Sequence, residues 1–413
     1  MKINKKMAIL MAVCLLIMVA LTSCGTESPQ TQEETPPSDT HTAEAPPSET
    51  PTDTPLDTPS PSPSPSPAPP IYPGPEIDLI PYDEVVEHIF FHEVIAYPQL
   101  AFDGDSQQKG YDDYMVTVSE YVKILESLHR NGFILVNMND VWSEYTDDDG
   151  ISRMRRNTLM LPEGKKPLII SFDDINFYEY MLVDGFMHKL IIGSDGEIWA
   201  SGIDPSGVDV ITQDLAAVPI LDKFVKDNPD FSMYGAKGCI ALTGYEGILG
   251  YRTQSDRDND TAEFRLNRMQ EIARVRPVID KLKETGWYFA SHSFGHISLE
   301  GSSLSRVSSD ATRWMDEVGS LIGDTQIFIY PYGSRLDGGD VYSTGPAFRF
   351  YHDLGFRMFA SVGYEPFSRI KTDIAAVVCD RMNVDGIALR GSRTQYLRFY
   401  DATEVFDNAR PTT

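Results

Sequence analysis

The sequence IISFDDINF, residues 169–177, carries an apolar run into two adjacent acids, Asp173 and Asp174. A short apolar run of this kind, here residues 167–172, predicts a buried strand. Carboxylates at the end of a buried strand lose hydration, and this loss costs free energy unless a cation pairs with them. We therefore expect a cation at this strand end, and a divalent metal ion would serve.

Repetition of the same pattern over residues 78–413 predicts an α/β barrel. Amphipathic segments alternate with the apolar runs; the clearest begins at Thr117, where Glu120 completes a capping box, and another runs from about 261 to 284. In such a barrel, sites form at the carboxyl ends of the strands. Strands are predicted near residues 88–95, 133–138, 167–172, 237–243, 287–291, 326–330, 357–361 and 376–380.

Two histidines follow another of these predicted strands. His292 and His296, in HSFGH, come directly after residues 287–291, in a chain with 8 histidines. Two acids alone are usually a solvated turn, and two histidines at this spacing need not bind metal. At strand ends of one barrel, however, they predict a site with one acid on the ion and the other acting as a base. Zinc suits such ligands best, and cobalt, nickel or manganese can accept them.

Three motifs resemble those of a known family. SFDD (171–174), HSFGH (292–296) and YPYG (330–333) resemble, in order and spacing, the first three motifs of the polysaccharide deacetylases, the NodB-homology carbohydrate esterases. The resemblance covers essentially the whole globular part. It implies a distorted (β/α) barrel and metal-dependent removal of N-acetyl, sometimes O-acetyl, groups from a glycan.

The resemblance also implies roles for individual residues. Asp173 would be the general base, and the metal ligands would be Asp174, His292 and His296. The backbone N–H of Tyr332 would stabilise the oxyanion, because a rigid turn can hold a donor where charge develops. Substrate contacts are expected from the neighbouring residues of that turn, Tyr330 and Pro331.

Two features depart from the family pattern. Ile329 stands where many members carry an arginine that tethers the base, so Arg381 is expected to replace it, with Arg252 as the alternative. The family's late histidine, often the general acid, is not visible in residues 387–393. His92, which ends the first predicted strand, is the substitute; otherwise it is a core histidine.

An insertion after the Asp-Asp strand is predicted to form a β-hairpin. The segment HKLIIGSDGEIWASG turns at Asp195 and Gly196 and should overhang the mouth of the barrel. Trp199 could then stack on a sugar ring, as could Tyr178 or Tyr180. The alternative is that these aromatics pack the insertion onto the barrel.

The N-terminal residues predict that the protein is located outside the cytoplasm. Residues 1–23 have the basic start and short apolar run of a signal peptide. LTSC, residues 21–24, resembles a bacterial lipobox, which implies a lipid on Cys24 and a membrane tether; the alternative is an ordinary secretory signal. Residues 24–77, rich in Pro, Ser and Thr, predict a disordered linker that gives reach or is a glycosylated spacer.

Composition narrows the partners. The net charge of −26 argues against nucleic acid, which needs a basic surface. Cys239 and Cys379, in apolar runs, are expected to be buried free thiols, and we expect a monomer.

The substrate is expected to be an acetylated polysaccharide of the envelope, peptidoglycan or an exopolysaccharide. An O-acetyl esterase and an inactive carbohydrate-binding lipoprotein are the alternatives.

Overall fold

The computed structural model describes residues 71–256, 259–339, 341–342, 344–391 and 394–411. The predicted signal peptide, the lipidation site at Cys24 and the linker up to residue 70 lie outside the described residues. Everything described belongs to one compact unit, Pro67–Thr413. None of the helices in these ranges has the length and apolar character needed to cross a membrane.

The strands and helices alternate along most of this unit. The strands are β1 Leu79–Tyr82, β2 Glu87–Phe91, β3 Phe133–Leu135, β4 Trp142–Thr146, β5 Ser152–Arg156, β6 Leu159–Pro162, β7 Lys166–Asp173, β8 Lys189–Ile192, β9 Ile198–Ile203, β10 Asp209–Thr212, β11 Cys239–Leu242, β12 Tyr288–Ser291, β13 Ile327–Ile329, β14 Met358–Val362, β15 Phe367–Ile370 and β16 Val377–Asn383. The helices are α1 Pro98–Ala101, α2 Gln108–Tyr114, α3 Val118–Arg130, α4 Met138–Val141, α5 Ala217–Asp227, α6 Ala262–Glu284, α7 Leu304–Trp314, α8 Ser320–Ile322, α9 Pro346–Asp353, α10 Gly386–Arg390 and α11 Ala402–Val405.

Seven parallel strands close into a barrel, which confirms the predicted fold. The ring runs β2, β7, β11, β12, β13, β14, β16 and back to β2. The eighth predicted strand, β3, is present but lies outside the ring. It pairs with the start of β7 (Phe133 with Lys166), while β11 pairs with the end of the same edge (Cys239 with Ser171). A closed ring therefore passes through β11 and leaves β3 as a branch.

Alternation along β7 decides which side chains enter the barrel. Ile169 belongs to the interior cluster, together with Ile329 and Cys379 from other strands. Leu168, Ile170 and Phe172 belong instead to the larger cluster that also includes residues of the surrounding helices. Because side chains on a strand alternate with a period of two, Ser171 and Asp173 share the interior face with Ile169. The acid nearest the strand thus points into the barrel.

The predicted helix starts are confirmed. Thr117 caps α3, its hydroxyl accepting from the Glu120 N–H while the Glu120 carboxylate accepts from the Thr117 N–H. Thr261 caps the 23-residue helix α6 by accepting from the Phe264 N–H. These side chains satisfy donors that a helix start otherwise leaves without partners.

The predicted hairpin is present and has a third strand. β8 pairs with β9 across the turn at Asp195 and Gly196, and β10 adds to the other edge of β9. The sheet contacts helices α5 and α6. The two cysteines are also as predicted: Cys239 and Cys379 are free and buried.

One buried acid outside the barrel makes stability depend on pH. Glu93 is 1% exposed, and its Oε1 accepts from the N–H groups of Val94 and Ala217, at 2.9 and 2.8 Å. Its Oε2 has no hydrogen-bond partner among the described residues. Loss of hydration on burial outweighs the two hydrogen bonds and raises the pKa of Glu93 from 4.5 to about 7.

The substitution Glu93→Gln should flatten the pH dependence of unfolding. Between pH 4.5 and about 7 the folded state holds a proton that the unfolded state releases, so this group lowers stability as pH rises. A shift of about 2.5 pKa units corresponds to roughly 3 kcal/mol. Urea unfolding from about pH 5 to about pH 8 should show a steeper fall for wild type than for the variant. The exposed Glu126→Gln is the matched control, and equal slopes for Glu93→Gln and wild type would contradict the assignment.

Candidate active site

Three side chains predicted as metal ligands converge at the carboxyl ends of β7 and β12. One ligand atom each of Asp174, His292 and His296 lies within 4.8 Å of the others. The Nε2 of His296 is 3.4 Å from Asp174 Oδ2, and the Nε2 of His292 is 3.9 Å from the same oxygen. Strand ends far apart in sequence therefore build one cluster, as parallel strands of a barrel allow.

Left-handed backbone positions shape this cluster. Asp174 has φ +60°, Ser293 +59°, His296 +48° and Tyr332 +57°. The turn at Asp174 takes the chain off the strand, and the Asp174 N–H donates to the Ala241 carbonyl of β11 at 3.1 Å. Such conformations cost a non-glycine residue on the order of 1–3 kcal/mol each and concentrate at functional sites.

Backbone contacts orient His292. Its Nδ1 lies 2.9 Å from the Ile329 carbonyl oxygen, which can only accept, so Nδ1 carries the hydrogen and Nε2 keeps its lone pair. Burial lowers the pKa of His292, although the neighbouring carboxylates of Asp173 and Asp174 oppose this. The imidazole is thereby held neutral with a free lone pair facing Asp174, the state in which histidine binds a metal.

A tyrosine and a threonine orient Asp174. The hydroxyl of Tyr178 donates to Asp174 Oδ1 at 2.6 Å and lies 2.6 Å from the Thr243 hydroxyl. Oδ2, the oxygen nearest both histidines, is left to face them. Thr243 was missed in the sequence, although it directly follows β11 and the strand-end rule could have found it; Tyr178 was considered only as a sugar contact.

The donor set fits a divalent ion. Tetrahedral zinc with oxygen and nitrogen ligands at about 2.0–2.2 Å implies ligand atoms roughly 3.3–3.6 Å apart. The separations of 3.4 and 3.9 Å between Asp174 and the two imidazoles are close to that range. Asp174 and His292 also have an orienting hydrogen-bond partner on their other side, as metal ligands commonly do. Asp174, His292 and His296 are thus the residues that could hold a metal.

Arg381 pairs with Asp173 inside the barrel. Its Nη1 donates to Asp173 Oδ1 at 2.7 Å and its Nη2 to Oδ2 at 2.9 Å, and the arginine is fully buried. Burial by itself would raise the pKa of Asp173, but the Arg381 charge holds it well below its usual range. The alternative, Arg252, lies elsewhere and donates to the carbonyls of Glu246 and Phe177.

His92 lies directly after β2, near the acids. Its Nδ1–H donates to the Tyr114 carbonyl at 2.9 Å, because that oxygen can only accept. In the neutral ring, Nε2 therefore carries the lone pair. When its ring is protonated, His92 adds a weaker contribution to the lowered pKa values of Asp173 and Asp174.

The remaining predicted residues have different surroundings. Tyr332 is 72% exposed, with its ring 4.3 Å from that of His296. The Tyr330 side chain is 3% exposed and packs on Phe328 and Phe359, so only its backbone could face a ligand. Pro331 is likewise buried. The Trp199 indole donates to Asp195 within the hairpin, and no contact between Trp199 and the acids or histidines appears among the described residues.

A second residue missed in the sequence, an acid, holds the histidine loop. Asp310, on α7, accepts from the N–H groups of Phe294 and Gly295 at 2.7 and 2.9 Å. These two residues lie between His292 and His296. No local pattern marks Asp310, because its partners are reached only when α7 packs against the loop.

Comparison with known proteins finds only weak similarity, and only to solved structures. No family model and no curated protein matches the chain. Solved structures that resemble it include the Streptococcus pyogenes deacetylase PplD in complex with acetate (12% identity, TM-score 0.40, covering 73% of this chain and 93% of that one). Others are BC0361, a polysaccharide deacetylase from Bacillus cereus (11%, 0.40, 78% and 69%), and IcaB from Ammonifex degensii (14%, 0.37, 73% and 92%). Similarity this low carries no argument about chemistry, which rests on the residues of this chain.

Removal of one candidate ligand should abolish metal binding. Wild-type protein is expected to hold about one divalent ion per chain by elemental analysis. His292→Ala should lose it, since two remaining ligands cannot complete the site. His129→Ala, whose imidazole contacts Asp230 instead, is the control. Unchanged metal content in His292→Ala would show that the ligands are elsewhere.

Proposed function

We propose that the protein is a metal-dependent hydrolase that removes N-acetyl groups from a polysaccharide of the cell envelope, either peptidoglycan or an exopolysaccharide. The observation that carries this proposal is the buried Asp173–Arg381 pair beside the cluster of Asp174, His292 and His296. A carboxylate held ionised next to a candidate metal site is what amide hydrolysis by water requires.

The roles of the acids follow from their partners. A divalent ion held by Asp174, His292 and His296 would supply Lewis-acid polarisation of the acetyl carbonyl and acidify a water molecule. Asp173 accepts the proton of the attacking water on a carboxylate oxygen, since each oxygen keeps a lone pair beyond its bond to Arg381. Arg381 keeps that carboxylate ionised and fixed in direction.

The later steps need a donor for the oxyanion and a proton for the leaving amine. The backbone N–H of Tyr332, on the left-handed turn after β13, is the candidate oxyanion donor. His92 is the candidate acid: with Nδ1 tied to the Tyr114 carbonyl, its Nε2 can pick up a proton and pass it to the sugar nitrogen.

Exposed tyrosines support a sugar substrate. Tyr180 and Tyr245 are 41% and 39% exposed, and both rings contact Tyr178, whose hydroxyl holds Asp174. Tyr332 is also exposed, and its ring lies against that of His296. Aromatic faces cover the apolar faces of sugar rings, so these tyrosines can bind glycan units that flank the one being deacetylated.

Acetate release tests the proposal directly. Wild-type protein should release acetate from peptidoglycan or from N-acetylated oligosaccharides, and a chelator should abolish the release. Asp173→Asn should retain the metal but lose turnover by roughly 100-fold or more, because the amide cannot accept the proton.

Other outcomes separate the alternatives. Release from acetylated xylan alone would indicate an O-acetyl esterase. No release from any of these substrates by fully metallated protein would favour a carbohydrate-binding protein. Full activity in Asp173→Asn would place the base on another residue.

We also propose that the protein is tethered outside the cytoplasmic membrane by a lipid on Cys24. The support is sequence alone: the signal-like residues 1–23, the lipobox-like LTSC and the Pro-rich segment that follows. Cys24→Ala should move the protein from the membrane fraction to the soluble extracytoplasmic fraction. An unchanged membrane fraction in that variant would contradict lipidation at this residue.

A further inference from the structure

The wall of the barrel opens beside the candidate base. On one edge, β16 pairs with β14 over residues 377–381. On the other edge its first half, residues 377–380, pairs with the antiparallel strand β15, and only Met382 and Asn383 pair with β2. β15 therefore separates the start of β2 from β16, and the two barrel strands meet only near their carboxyl ends.

A cleft lies at this separation. Its volume is about 80 Å³, and it is lined by residues of β15, β16 and β2, of the segment that leads into β2, and of α4, β4 and β5, among them Phe367, Cys379, His88, Trp142 and Arg156. A cavity of this size has room for several water molecules or for one small ring. The cleft reaches His88 on the inward face of β2.

Among the described residues that line this cleft, His88 is deeply buried and has a ring nitrogen without a hydrogen-bond partner. Its side chain is 6% exposed, and among the described residues its Nδ1 has no hydrogen-bond partner. A buried polar atom without a partner costs free energy, so the position of His88 must be supported by its other contacts.

The other ring nitrogen of His88 leads to the candidate base. Its Nε2 lies 3.1 Å from the Ser171 hydroxyl. The same hydroxyl accepts from Arg381 Nη1 at 3.0 Å, and that nitrogen also donates to Asp173. Four side chains thus form one continuous hydrogen-bonded chain from the cleft to the base.

The direction of these hydrogen bonds follows from charge. Arg381 can only donate, so the Ser171 oxygen accepts from it and the Ser171 hydrogen is available for His88. A lone pair on Nε2 facing the guanidinium is favoured over an N–H dipole facing it. His88 is then the tautomer that accepts at Nε2 and carries its hydrogen on Nδ1.

We propose that His88 is a positioning residue: through Ser171 it holds Arg381 in its two-pronged contact with Asp173. The inference rests on the proposed function for its catalytic consequence and on geometry for the tautomer. Loss of the imidazole lets Ser171 rotate and loosens Arg381. A displaced base slows the reaction without weakening substrate binding.

Three substitutions and one small molecule test this. His88→Ala should lower kcat roughly 10- to 100-fold with KM and metal content unchanged. His88→Gln, which can place an acceptor near the Nε2 position, should retain most of the activity. Added imidazole, small enough for the cleft, should restore turnover to His88→Ala. The control is His352→Ala: the Nε2 of His352 also has no partner among the described residues, and neither the substitution nor imidazole should change turnover.

Failure of this proposal can be distinguished from failure of the proposed function. Wild-type kcat in His88→Ala, or a loss restored neither by imidazole nor in His88→Gln, would overturn it. Nitrogen-15 NMR of the histidines, with His88→Ala used to assign the signal, should show a neutral Nδ1–H tautomer. An Nε2–H tautomer would overturn the proposal even if the protein releases no acetate from any substrate, an outcome that would itself refute the proposed function.

Discussion

The ion pair between Arg381 and Asp173 is the interaction on which the site depends. Both residues are buried, and an unpaired charge there would cost several kcal/mol. The pair joins β16 to β7 across the intervening strand β2, so it forms only when these three strands lie side by side. Assembly of this part of the barrel therefore also gives an ionised, oriented carboxylate at the mouth.

The pair also explains why the two adjacent acids, Asp173 and Asp174, can have different roles. Asp173 continues the strand alternation into the barrel and meets the guanidinium. Asp174, at φ +60°, leaves the strand and meets the imidazoles and the Tyr178 hydroxyl. A one-residue change of backbone conformation thus separates a candidate base from a candidate metal ligand. The free energy of that strained turn is offset by hydrogen bonds such as the one from the Asp174 N–H to Ala241.

Residues deeper in the barrel, and not only those at its mouth, hold the Asp173–Arg381 pair in place. The antiparallel strand β15 replaces β2 beside the first half of β16 and leaves the cleft that reaches His88. Inside the barrel, one row of side chains is polar, with Ser171 between His88 and Arg381. The surrounding interior is apolar and includes Ile169, Ile329 and Cys379. Each polar group in that row has a neighbour that satisfies it in part, which favours one arrangement of the charges.

The sequence by itself determined the elements and indicated which residues meet at the mouth, because both depend on short-range patterns. Apolar runs located the strands, Thr117 and Thr261 marked helix starts, and acids and histidines at strand ends indicated a cluster at one mouth. Contacts between residues far apart were decided by the tertiary structure. The ring closes at seven strands because β11 takes the edge that β3 begins, and the Tyr330 side chain turns into the core. The orienting roles of Thr243, Asp310 and His88 depend on partners 65, 16 and 83 residues away. Local periodicity carries no information about such distances, so packing alone brings these groups together.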